Sequence, residues 1–422
     1  MQKLSGKNLL LVGFTLFSMF FGAGNLIFPP HLGAQAGSHL WAAFAGLAVS
    51  AIGLPIAGVV AVARAGGLEP LARRVHPAFA FVFTILVYLS IGPCLAIPRT
   101  ASTSFAMLAP LVGSSPRLQL GYSFLFFAAA FLVALHPEKL TDRLGRILCP
   151  CLILLICILF AGCLLHPPAA HYGAPCDLYA SLPAVQGILY GYQTMDTLAG
   201  LNFGAVIALN IRARGIAQES VVEQGAVRAG FLAGALLLAV YAMLGHAGAL
   251  TGAAVPGLST GADVLTALAG NLFGQAGLVL IAAIFVIACF NTCVGLIACV
   301  GQYFHSLLPR IPYPVLAAFF AGVSMLVSNL GLAAIIGLST PVLNALYPIA
   351  IVLILLSYLP GLENRPRIYP LCIFLTALQS IAAALPLGPL SVLANALPFA
   401  EVGFGWVLPA AAGLLLGFLI DR

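Results

Sequence analysis

Charge is scarce in this sequence. Asp, Glu, Lys and Arg together make up 7% of its 422 residues, where a soluble domain carries roughly 25%. Long polar linkers are missing too, so the chain has no room for a soluble domain beside its apolar runs. The eight histidines are scattered, and no cluster of His, Asp and Glu gathers near one face, as a membrane enzyme would need. No basic–aromatic cluster marks a nucleic-acid surface. The chain also lacks the charge ring of a pore and the output domain of a sensor. None of the ten cysteines has zinc-ligand spacing to a histidine. Nine lie in apolar runs (Cys94, Cys149, Cys151, Cys157, Cys163, Cys289, Cys293, Cys299 and Cys372) and read as small hydrophobes of a packed bundle; only Cys176 falls outside.

What is abundant is hydrocarbon: 62% of the residues are hydrophobic and the mean hydropathy is +1.11. Apolar stretches of about 20 residues, enough to cross a bilayer core, recur along the whole chain. The sequence therefore predicts an all-α polytopic membrane protein. Twelve spans are expected near 8–33, 39–63, 77–109, 118–135, 145–165, 182–209, 227–250, 275–304, 312–329, 332–359, 367–386 and 402–420. The leading MQKLSGK lacks a convincing cleavage site downstream and reads as the start of a retained helix.

The basic residues test that count. Lys3, Lys7, Arg64, Arg73, Arg74, Lys139, Arg143, Arg146, Arg212, Arg214, Arg228, Arg310, Arg365, Arg367 and Arg422 all fall on one side of it, which is 15 of the 17. Arg117 lies opposite, and Arg99 near the outer end of span 3. Positive-inside bias then places both termini in the cytoplasm. The net charge of +6 is a topology signal.

Two spans are interrupted by residues that helices tolerate poorly. Span 1 carries FFGAGNLIFPP, residues 20–30, with its GAGN near mid-depth. Span 6 carries GILYGYQTMDTLAGLNFG, residues 187–204, with Asp196 the one acidic residue deep in a span. Non-helical backbone at that depth is tolerated only where it lines a cavity or is buried in protein. An intramembrane carboxylate needs a partner or a water-filled cavity. Asp196 reads as a contact to a cation or substrate, or else as a hydrogen-bonded anchor between helices. Gly22, Ala23 and Gly24 alone would suit close helix packing. Five spans separate the two breaks, so they run in opposite directions, the signature of an inverted-repeat transporter site. Repeats over about 8–165 and 182–359 are expected, with two helices over about 367–420 appended, in a single transmembrane domain covering 1–422.

Two further clusters are polar. ACFNTCVGL, residues 288–296, offers oxygens from Asn291 and Thr292 without charge. That suits a weakly held monovalent cation, or hydrogen bonds between helices. Span 3 carries Tyr88, whose hydroxyl can reach a substrate carboxylate, and two prolines expected to bend it near the outer vestibule. Arg99 beside them either guides an anion, pairs in an outer gate, or snorkels to the interface.

FFGAGNLIFPP, IGPCLAIPRTA and GYQTMDTLAGLNFG, in this order, resemble the bacterial branched-chain amino acid:cation symporters of the BrnQ type, and the likeness runs end to end. The resemblance implies import of leucine, isoleucine and valine across the inner membrane by alternating access, driven by a sodium or proton gradient. It implies no cofactor beyond the coupling ion and no obligatory protein partner; the chain would sit in membrane lipid. The family is similar to LeuT-type transporters with a 5+5 inverted repeat. Carried over, Gly22, Ala23, Gly24 and Asn25 would face the substrate carboxylate. Tyr192, Gln193, Thr194, Met195 and Asp196 would face its amino group and side chain. Ser18, Phe21, Ala288, Asn291 and Thr292 would form a sodium site, with Asn25 and Thr194 completing a second cation site. Asn291 stands where the pattern has a hydroxyl residue, which leaves the cation open. A nucleobase or other small-solute permease of the same fold is the alternative.

Overall fold

The computed structural model describes residues 5–216, 218–362, 365–385 and 388–421; Lys3 and Arg422 of the charge argument lie outside them. Every regular element among the described residues is helical. Helix α1 (Gly6–Phe20) starts at Ser5, whose side chain accepts from the Asn8 amide. It stops at Phe21, and the chain resumes as α2 (Ala23–Ala36). Gly22 between them is extended, with φ −121° and ψ −152°. A Cβ there would come within 2.6 Å of Thr292 Oγ1, so close approach excludes a side chain. Pro29 and Pro30 lie inside α2. Lacking N–H groups, they leave the carbonyls of Asn25 and Leu26 without their helical donors.

Span 3 is α3 (Pro77–Leu89) and α4 (Ala96–Val112), joined by a π-turn at Ser90–Cys94. Gly92 in that turn leaves helical geometry, with ψ −127°. Of the two prolines expected to bend the span, Pro93 lies in this turn directly after Gly92, and Pro98 sits unbent in the first turn of α4.

Span 6 is α5 (Pro183–Tyr192) and α6 (Asp196–Arg212), bent by 48° across the interruption. Met195 makes the turn in the left-handed region, with φ 68°, an uncommon choice for a residue other than glycine. Two long helices follow, α7 (Glu219–Ala254) and α8 (Gln275–Leu307). At 36 residues and 1.5 Å per residue, α7 is ~54 Å long and outruns a hydrocarbon core of about 30 Å. Its polar first turns, ESVVEQ, explain the start eight residues before the expected 227.

Seven helices among the described residues are long and apolar enough to cross a membrane, nine if each of two bent pairs counts as one span. Three shorter apolar helices lie among them: Gly6–Phe20, Tyr313–Ser328 and Val407–Ile420. Helix Gly261–Phe273, in an expected connector, has no counterpart in the sequence reading. It is opened by a Thr260/Asp263 capping box, and Gly261 lets it rest on the backbone of Ile27 in α2. Not every cysteine is packed inside: Cys94, Cys151 and Cys157 are exposed. In helix Cys149–Leu165 the buried stripe runs through Cys149, Leu152, Ile156 and Leu159, and Cys151 and Cys157 fall between its members.

The two interrupted spans are clamped in related ways. A Cβ at Gly33 or Gly248 would strike the backbone of Gly245 or Pro30, so α2 and α7 touch main chain to main chain. Gly46 and Gly187 bring α5 equally close to helix Leu40–Ala48. Span 1 against span 7 and span 6 against span 2 are contacts that an exchange of the two halves would interconvert.

Candidate substrate and cation site

The two interruptions meet. Gly24 lies against the Thr194 backbone and the Arg99 guanidinium, both within about 3.2 Å of where a Cβ would be. Asp196 is the first residue of α6, where the helix dipole favours negative charge. Its Oδ2 accepts from Asn25 Nδ2 at 2.5 Å and from the Tyr241 hydroxyl at 3.2 Å. Asn25 Nδ2 also touches the Tyr241 hydroxyl, and the Gly22 amide donates to Asn25 Oδ1 at 3.1 Å. One chain of hydrogen bonds therefore ties both interruptions to α7. Thr194 Oγ1 accepts from the Asp196 amide at 3.4 Å and donates to the Gly191 carbonyl at 2.8 Å.

Arg99 faces the same point from α4. It is 5% exposed and donates to the carbonyls of Gln193 at 3.0 Å and Thr194 at 3.3 Å. These are end-of-helix carbonyls of α5, where a cation is favoured. The guanidinium also lies 5.9 Å from the centre of the Phe28 ring. Burial settles against snorkelling: the side chain points into the bundle. Among the described residues, no ion pair joins Arg99 to Asp196 or to any other carboxylate. A buried guanidinium and a buried carboxyl group thus line one cavity without meeting, each held by neutral groups.

That cavity is about 20 Å³, the room of roughly one water. Gly22, Ala23, Gly24, Asn25, Thr194, Met195, Asp196, Thr292 and Arg99 all line it. Its apolar wall includes Met19, Phe20, Ile91, Phe203 and Leu296.

Behind α1, Asn291 Nδ2 donates to Ser18 Oγ at 3.4 Å and Thr292 Oγ1 to the Ser18 carbonyl at 3.5 Å. Both bonds are at the long limit. Asn291 Oδ1 is buried with no hydrogen-bond partner, an oxygen free to take a cation. Ala288 and Phe21 are fully buried nearby in sequence, and the Phe21 ring stacks on Phe17 at 5.2 Å.

The remaining expected residues go elsewhere. Tyr192 stacks on Tyr347 at 4.8 Å and, with Gln193, lines a separate cavity of about 390 Å³ beside the connector that carries Ala400 and Glu401. Tyr88 is not among the cavity residues either. It stacks on Tyr303, ring centres 4.0 Å apart, in a third cavity on the basic side. Tyr241 was missed, although a hydroxyl amid LAVYAML in span 7 was a readable signal of a buried polar partner.

Comparison with known proteins then decides the family. Residues 5–422 match the family described as "Branched-chain amino acid transport protein". The chain belongs to this family. It is 38% identical over 427 residues to the branched-chain amino acid permease BraB of Bacillus subtilis, covering 98% of this chain and 95% of that one. It is 40% identical to the branched-chain amino acid transport system 2 carrier protein of Pseudomonas aeruginosa, over 100% and 98% of the two chains. Among solved structures, its fold is similar to Mhp1, a nucleobase-cation-symport-1 family transporter, closed with bromovinylhydantoin bound (TM-score 0.61, 14% identity, 97% and 91% covered). MhsT in complex with L-phenylalanine gives a TM-score of 0.59 at 15% identity, with both chains fully covered. The chain thus has the LeuT-type fold of these solved transporters and is a multi-pass membrane protein.

Proposed function

We propose that the protein imports leucine, isoleucine and valine across the bacterial inner membrane together with a cation, by alternating access, with both termini in the cytoplasm. The observation that carries this is the unpaired couple Arg99 and Asp196 beside one apolar-walled cavity. A free amino acid is a zwitterion: its carboxylate suits Arg99 and its ammonium suits Asp196. Arg99 has five N–H donors and uses two, so it can take a carboxylate while still holding α5. A neutral nucleobase would leave both charges unmatched. Met19, Phe20, Ile91 and Phe203 suit an aliphatic chain, and opening is needed to admit it. Such walls separate leucine from valine weakly, since one methylene is worth about 1–3 kcal/mol.

Support for a cation site comes from Ser18, Asn291 and Thr292. Their oxygens are neutral and loosely bonded, which favours a monovalent ion that must leave again each cycle. The carbonyl of Asn25, freed by Pro29, is a further neutral oxygen available to a second ion.

Reconstitution into liposomes tests the whole reading. Labelled leucine should accumulate under an inward cation gradient and not without one; accumulation of no aliphatic amino acid under either a sodium or a proton gradient overturns it. In the same assay, Asn291→Ala should raise the sodium concentration for half-maximal uptake about tenfold, or roughly 1.4 kcal/mol. An unchanged sodium dependence removes span 8 from the ion site.

A further inference from the structure

The cavity that holds Tyr88 measures about 270 Å³ and is lined by residues of spans 3, 6 and 8 and of the connector helix Leu68–Arg73. The same three spans also line the small central cavity, on the same helix faces. In span 3, Thr84 and Tyr88 line the larger cavity and Ile91 the central one. On α6 Ala199 and Phe203 line the central cavity, and Asn202 and Val206 the larger. On α8 Thr292 and Leu296 give way to Cys299 and Tyr303. In spans 3 and 8 three residues separate one cavity from the next, and on α6 the neighbours Asn202 and Phe203 face the two cavities, so the partition is at most about one helical turn, roughly 5 Å, thick.

The larger cavity also carries buried polar groups among its apolar lining. Thr84 and Asn202 are each 1% exposed. Thr84 Oγ1 and Asn202 Oδ1 have no hydrogen-bond partner, although the Asn202 amide nitrogen is engaged by the Leu198 carbonyl at 2.9 Å. Two unsatisfied oxygens in a buried setting are costly unless a donor visits them. The stacked rings of Tyr88 and Tyr303 form an apolar wall beside them, at 3° between planes. An ammonium donor with an aliphatic tail matches both features.

We propose that this inner cavity is a second amino-acid site, taken up by the substrate after it leaves the central site and before it reaches the cytoplasm. Asn202 and Thr84 accept from the ammonium group, and the tyrosine pair covers the aliphatic chain. The inference rests on the reading of the chain as an amino-acid carrier.

Asn202→Leu fills the cavity and removes one oxygen. The affinity of the central site for leucine should stay within about twofold in the purified protein, while the maximal uptake rate in liposomes falls about tenfold or more. Should Asn202→Leu not fold, Thr84→Val, which keeps the shape and removes the other oxygen, must show the same split. Cys299 supplies a second readout. With an impermeant thiol reagent on the cytoplasmic side, labelling of Cys299 read by peptide mass spectrometry should slow at least about threefold in saturating leucine, with Cys299→Ala as the blank. Wild-type uptake rates in both variants, or no protection of Cys299, overturn the inner site while leaving the carrier reading intact. Failure of the wild-type protein to accumulate leucine overturns the carrier reading itself.

Discussion

Replacing Asp196 with asparagine should lower the efficiency of leucine uptake about 100-fold, since truncating one member of a buried charge pair costs about 2–5 kcal/mol. The fold should survive. Asparagine keeps an oxygen at the position of Oδ2, so the Asn25 and Tyr241 donors remain satisfied, and thermal unfolding should shift by only a few degrees for a change of about 1 kcal/mol. The diagnostic comparison is with 4-methylpentanoate, the leucine skeleton without its amino group. In the wild-type protein it should bind far more weakly than leucine; in the asparagine variant the two should converge. Unchanged leucine uptake would reduce Asp196 to a hydrogen-bonded anchor between spans 1, 6 and 7.

The second large effect concerns Arg99. Arg99→Gln should weaken leucine binding about 30-fold, in line with the roughly 1.5–3 kcal/mol of a hydrogen bond to a charged group. Binding of 3-methylbutan-1-amine, which lacks the carboxylate, should be no worse than in the wild type. Arg99 also secures the carbonyls of Gln193 and Thr194, so a purely positioning role predicts something different. In that case both ligands weaken together, because the turn between α5 and α6 loses its support. The ratio of the two affinities separates these roles where leucine uptake alone cannot.

The helical class and the interruptions of spans 1 and 6 were legible in the sequence. Hydropathy reports the solvent directly, and glycine, asparagine and proline at mid-depth are locally expensive in a helix. Asp196 stood out for the same reason. Less legible was anything that depends on how helices turn about their axes. Tyr88 and Arg99 are 11 residues apart in one span, and a uniform helix would put them on one face; the π-turn at Ser90–Cys94 and the extended Gly92 re-aim the second half. Arg99 therefore enters the centre, where its position in the sequence suggested the outer end. LAVYAML announced that Tyr241 would need a buried polar partner but not that the partner is Asp196, and nothing local tied the helix Gly261–Phe273 to Ile27.

Met195 gives the closed arrangement a particular energetic character. A methionine at φ 68° sits on the order of 1 kcal/mol or more above a relaxed backbone. That elevation belongs only to conformations in which the turn is made this way. It acts as a loaded spring, raising the floor of the sealed state and lowering the climb out of it. Met195→Gly, compared with Met195→Ala to cancel the lost side chain, should deepen the sealed state and slow hydrogen exchange across residues 191–197 about fivefold. Equal exchange in the two variants would mean the spring is not loaded. A carrier turns over only as fast as it can leave its most comfortable shape, and this one is built so that being shut is not fully comfortable.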